Sequence, residues 1–121
     1  MPQQRPQIDL TAIDMSGDWT RAGLPLGIER KILADDLDEA RKTGARTQLI
    51  RFAPGTVTPG IAVHDFWEDA FLLQGDLADV GGAGKPAVGA PAYACRAPGT
   101  PHGPFSSRQG CVILELQYYR K

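Results

Sequence analysis

Three side chains in this sequence have the types and spacing to hold a metal ion: His64, Glu68 and His102. The two histidines are the only ones in the chain. His64 and Glu68 have three residues between them in "IAVHDFWEDAFLLQG", which a helix would place on one face. The upstream run Thr56, Val57, Thr58, Pro59, Gly60 is poor helix material, however. In a strand, alternate residues share a face, so Ala62, His64, Phe66, Glu68, Ala70 and Leu72 point one way. His64 and Glu68 then converge on an interior, and a second strand carrying His102 supplies the third donor. Two imidazoles and one carboxylate with open positions suit non-haem Fe(II) first, and Mn, Ni or Zn after it. The competing reading makes each histidine a structural residue at a strand end and Glu68–Asp69 a solvated acidic pair. Inward parity favours the converged reading, since a buried carboxylate needs a cation or a hydrogen-bond partner.

Around this set, Arg51, Phe66, Tyr93 and Phe105 are candidate substrate-binding residues. Arg51 shares the parity of Leu49 and would hold an anion through its planar fork; the alternative is an exposed arginine. Phe66, Trp67, Phe71 and Phe105 give a cavity an aromatic, largely apolar character, which favours a small organic ligand over a sugar, unless they are only barrel packing. Tyr93 and Cys95 share a strand face and would line the pocket or fill the core. No partner that would lower the pKa of Cys95 can be named, so it is a poor nucleophile candidate.

The elements that must position these residues are short strands. Fourteen glycines and ten prolines punctuate brief apolar runs in 121 residues, a pattern of an all-β domain rich in turns. Residues 1–21 read as an irregular arm, and 22–121 as one barrel or sandwich domain of about eight strands. Strands are expected at 24–36, 46–55, 92–97 and 110–119, with a helical turn possible at "DDLDEARK". "EDAFLLQGDLADV" predicts a strand, a tight turn at Gly75-Asp76 and a returning strand, and 81–91 a flexible loop. Net charge is −1, with 13 basic and 14 acidic side chains scattered along the chain. Nothing in that pattern points to nucleic acid or a membrane surface, and no run has signal-peptide or membrane-span character. A cytoplasmic protein is expected, with Cys95 and Cys111 free and buried.

The spacing extends beyond the three donors. Pro54-Gly55 forms a turn, then come His64, three residues, Glu68, six residues and Gly75; later, "APGTPHGPF" carries Gly99 and His102. In this the chain resembles the cupins, specifically small single-domain RmlC-like cupins akin to the cupin domain of ChrR-type anti-sigma factors. The resemblance covers about residues 46–118. Ala62 stands where that family carries its first histidine, Ala97 where it usually has proline, and Ser106 where asparagine is frequent. The resemblance implies an all-β double-stranded β-helix, a small jelly-roll-like barrel, with a divalent metal on His64, Glu68 and His102. It implies a metal-dependent enzyme of dioxygenase, isomerase, lyase or decarboxylase type; one fold hosts many chemistries. The alternative is a non-catalytic small-molecule-binding or regulatory cupin with a reduced or lost metal site. The regulatory version pairs the barrel with a helical zinc-binding domain, which these 121 residues do not contain. A homodimer through sheet edges and the N-terminal segment is also implied.

Overall fold

The computed structural model describes residues 5–81 and 86–120. Its regular elements are all strands: β1 (Ile28–Asp35), β2 (Ala45–Phe52), β3 (Thr56–Val57), β4 (Trp67–Asp79), β5 (Val88–Gly89), β6 (Ala92–Arg96), β7 (Phe105–Ser107) and β8 (Cys111–Tyr118). All pairings are antiparallel, in the order β1-β2-β8-β4-β7-β3, with β5 and β6 also paired to β4. The all-β expectation holds. Among the described residues there is no helix long and apolar enough to cross a membrane.

The acid-rich segment after β1 closes a hairpin instead of making a helical turn. Short acidic side chains there bond nearby backbone: Asp35 accepts from the Leu37 N–H (2.9 Å), Asp36 from that of Ala45 (2.8 Å) and Asp38 from that of Arg41 (3.0 Å). Such bonds offer the backbone an alternative to helix, and they win here.

β4 is the organising strand, and it corrects one expectation. It runs unbroken through Gly75-Asp76, where a tight turn was predicted. Gly75 adopts φ 82° just after a bulge between Leu72 and Gln74, so the glycine bends the strand and does not reverse it. Asp76 instead braces the β7–β8 turn, accepting from the Gln109 N–H (2.8 Å) and the Ser107 hydroxyl (3.1 Å). Before the bend β4 lies between β8 and β6; beyond it, β4 pairs with β5 and β7. That change of partners curls the sheet into a barrel. The predicted loop over 81–91 contains β5; residues 82–85 of it lie outside the described residues.

The core follows strand parity. Ile28, Ile50, Phe52, Leu72, Cys111 and Ile113 form one buried cluster on the inner face. The N-terminal arm crosses the outer face of β1 and β2. There Arg5 donates to the Thr47 hydroxyl (2.8 Å), Lys31 to the Gly17 carbonyl (2.6 Å), and the Arg51 guanidinium lies 4.1 Å from the Trp19 ring centre. Under this cover the outward-facing Leu49 is only 2% exposed. Both cysteines are free, but Cys95 is exposed, because odd positions of β6 face outward; only Cys111 is buried.

Candidate functional site

The inner face of the barrel is graded in polarity, row by row. One row across β2, β8, β4 and β6 is Arg46, Gln117, Glu68 and Arg96; the next is Gln48, Glu115, Ala70 and Ala94; the third is Ile50, Ile113, Leu72 and Ala92. All these positions share one parity, so the first two rows put polar groups inside and the third closes the core beneath them. The cavity they border has a volume of about 550 Å³. A second, mostly apolar chamber of about 320 Å³ shares Ala70, Leu77, Arg96, Phe105 and Ile113 with it.

Hydrogen bonds run along the first row. Arg46 donates to Gln117 Oε1 (3.1 Å), the Gln117 side-chain amide donates to Glu68 Oε2 (2.8 Å), and Arg96 donates to Glu68 Oε1 (3.3 Å). The Glu68 side chain is 4% exposed and that of Arg96 19%, so this is a largely desolvated ion pair. Arg96 also lies against the Phe105 ring, 5.3 Å from its centre. In the second row Gln48 donates to Glu115 Oε1 (2.8 Å).

The His64, Phe66 and Glu68 alternation expected from the sequence holds: all three line the cavity, with Ala62 and Ala70. His64 stacks on Phe66, with ring centres 4.6 Å apart and planes at 10°. His102 comes beside them because its backbone pairs with that of Ala62 in both directions, at 2.8 and 3.0 Å. The two imidazole centres are 5.1 Å apart. His102 Nδ1 faces the Thr100 carbonyl at 3.3 Å, an arrangement that favours the proton on Nδ1 and the lone pair on Nε2. Burial holds the His102 pKa below its ordinary value, opposed by the Glu68 carboxylate and reinforced by Arg96.

The candidate substrate residues separate. Phe66 and Phe105 line the cavity, while Tyr93 borders only the second chamber. Tyr93 packs against Phe71 on the outer face and donates to Asp69 (2.6 Å), a bond that raises its own pKa and lowers that of Asp69. Arg51 is not brought to the site: it faces outward, bonded to Glu29 (3.0 Å) and stacked on Trp19. Arg30, Arg46, Gln48, Arg96, Glu115 and Gln117 were not foreseen from the sequence, although all line the cavity. For all but Arg96 the signal was present: each shares the parity of a buried apolar neighbour on its strand, such as Ile28, Ile50 or Ile113, whereas β6 has no buried apolar residue to count from.

His64, Glu68 and His102 border one small recess, but Arg96 borders it with them. Both Glu68 oxygens are engaged, Ala62 contributes no donor, and among the described residues no three His, Cys, Asp or Glu side chains stand close enough to hold a metal ion. The donors as arranged therefore do not fit a metal: a guanidinium occupies the charge-compensating position beside Glu68 that a cation would need.

Glu115 is the most displaced carboxyl, pushed from 4.5 up to about 7 by burial and by the nearby Glu68 charge, with the Gln48 bond opposing. The folded protein then holds a proton that the unfolded chain has released between those two values, so stability falls as pH rises through that window. Glu115→Gln is expected to remove this dependence. Relative to the variant, the wild type should lose about 1–3 kcal/mol between about pH 5 and pH 8, read from urea unfolding. Parallel pH dependence in the two proteins would contradict the assignment.

No family model matches the chain, and no curated protein matches it. Solved structures do. An RmlC-like cupin from Shewanella frigidimarina is 14% identical over 95% of each chain, with a TM-score of 0.68. An acetylacetone dioxygenase from Acinetobacter johnsonii is 16% identical over 96% of this chain and 78% of its own, again with a TM-score of 0.68. A chain of the complex between Rhodobacter sphaeroides SigE and the anti-sigma ChrR is 19% identical over 85% of this chain and 50% of its own, with a TM-score of 0.62. An antiparallel sheet curled around a polar-lined interior, matched along almost its whole length by such structures, is the cupin fold.

Proposed function

We propose that this protein is a small-molecule cupin that binds a small, largely apolar or aromatic organic compound inside the barrel and acts on it there. The observation that supports this reading is the graded cavity: apolar walls at one end, and at the other a convergence of two histidines, the glutamates Glu68 and Glu115, and three arginines. In this arrangement the protein's own groups carry the chemistry as proton donors and acceptors. Glu115 is pushed up to about 7, and the Thr100 carbonyl beside His102 Nδ1 favours a free lone pair on Nε2, so both suit lyase or isomerase steps in which a proton moves on or off a bound compound.

A second reading keeps a divalent metal, Fe(II) foremost, on His64, Glu68 and His102. It is favoured by their common recess and by the likeness to an acetylacetone dioxygenase. When bound, such a metal would supply Lewis-acid polarisation or a binding position for dioxygen. It would require Arg96 to release Glu68. Elemental analysis of protein purified without chelator or nickel resin, beside His102→Ala, separates the two. The first reading expects no stoichiometric metal in either, even after anaerobic incubation with Fe(II) or Mn(II). Near-stoichiometric metal that vanishes in the variant establishes the second.

The homodimer remains part of the proposal. It is supported by the exposed Ile8 and Leu10 of the arm and the exposed Leu73 and Tyr93 on the outer sheet face. Sedimentation equilibrium at micromolar concentration is expected to give twice the 13.0 kDa chain mass; a single species at chain mass would exclude it.

A further inference from the structure

Two polar groups facing the cavity have no partner among the described residues, and they lie close together. Gln48 is 4% exposed; its amide nitrogen is committed to Glu115, and its Oε1 is buried and accepts no hydrogen bond. Arg30 Nε is likewise buried without an acceptor. The other two arginines lining the cavity each have a carboxylate, Arg46 with Asp35 at 3.1 Å and Arg96 with Glu68 at 3.3 Å, whereas Arg30 has none. Arg30 pairs with Ile50 across β1 and β2, two residues from Gln48, which makes the two side chains diagonal neighbours on the inner face. Diagonal positions are about 7–8 Å apart, a span that one small molecule can bridge.

A buried donor and a buried acceptor left open cost stability in the empty protein, and a ligand supplying both counterparts removes that cost. An arginine fork without its own carboxylate matches a ligand carboxylate, and an amide oxygen matches a hydroxyl or amine donor. Between and beyond them lie Ile50, Ile113 and Phe105, suited to a flat apolar body. The carboxylates on the same cavity do not compete for Arg30: Glu68 is held by Arg96, Glu115 is bonded to the Gln48 amide, and Glu39 belongs to the β1–β2 loop.

We propose that the interior selects small aromatic or apolar hydroxy acids, their carboxylate anchored by Arg30 and their hydroxyl donating to Gln48 Oε1. This rests on the reading of the interior as a small-molecule site and names the class of compound it takes. Arg30 fills the anion-holding role that the sequence suggested for Arg51.

The test is calorimetric titration of the full chain with four probes: mandelate, phenylacetate, methyl mandelate and benzyl alcohol. Mandelate is expected to bind most tightly, with phenylacetate several-fold weaker and the two neutral compounds at least tenfold weaker. Arg30→Gln should abolish the preference for acids. Gln48→Leu should abolish only the preference of mandelate over phenylacetate. Arg30→Lys, which keeps the charge without the fork, should retain a reduced preference. In 15N-labelled wild type, the Arg30 Nε–H resonance should shift with mandelate and stay in place with benzyl alcohol, a readout independent of any variant's folding. Equal binding of acids and neutral compounds, unchanged by Arg30→Gln, would overturn the hydroxy-acid inference and leave the small-molecule reading standing, with a water bridging the two groups. Binding of none of the four would overturn both.

Discussion

Arg96→Leu is expected to destabilise the protein by about 3–5 kcal/mol, the usual cost of breaking a buried pair from one side. The variant leaves Glu68, with a side chain 4% exposed, facing the cavity with only the Gln117 amide as a partner. The double variant Glu68→Leu/Arg96→Leu should regain most of that loss, because an apolar pair carries no uncompensated charge. Urea unfolding of the wild type, both single variants and the double variant closes the cycle. Arg96→Leu should also bind Zn(II) or Mn(II) more tightly than the wild type, since it frees one Glu68 oxygen beside two imidazoles. Additive single-variant losses, with no recovery in the double variant, would show that the pair is not coupled.

Gly75→Ala should be at least comparably damaging. Gly75 has φ 82°, a region that costs a residue with a Cβ about 1–2 kcal/mol. An added Cβ would also collide with the Gly110 carbonyl oxygen, and Gly110 and Cys111 belong to backbone that cannot yield. Gly55 is the control: its φ is 83°, and nothing lies within 4 Å of an added Cβ. Gly55→Ala is therefore expected to cost about 1–2 kcal/mol and Gly75→Ala more than about 4 kcal/mol, a large share of the stability of a domain this size. Circular dichroism on heating compares them; similar midpoints for the two variants would refute the collision argument.

The same glycine marks the limit of what the sequence made legible. Glycine followed by aspartate after an alternating run is a hairpin signal, and local chemistry cannot tell a bend from a reversal. What decides is Gly110 and Gln109, more than 30 residues away, which occupy the space and the hydrogen bonds that a turn would use. The His64–Glu68 alternation was readable because strand parity is local, and His102 because its spacing from Gly99 accompanied it. Arg51 misled because parity was counted from Leu49, which is buried against the arm on the outer face and not in the barrel. Counting from Ile50 and Phe52 would have brought Gln48 and Arg46 inside and sent Arg51 out. Arg96 was invisible as a partner for Glu68 until β6 was known to pair with β4.

The place of β8 in the sheet has a consequence for how the protein comes to exist. The last strand of the sequence lies between β2 and β4, and it contributes Ile113, Glu115 and Gln117 to all three inner rows. Until Cys111–Tyr118 has been synthesised, β2 and β4 both present bare edges, and neither the core nor the cavity can close. At roughly 5–20 residues per second, the stretch from the end of β4 to the start of β8 takes seconds to translate. For that interval the nascent chain offers two unpaired strands to any neighbour able to add one. Folding thus waits for β8, and the risk of mispairing is concentrated just before that strand is made.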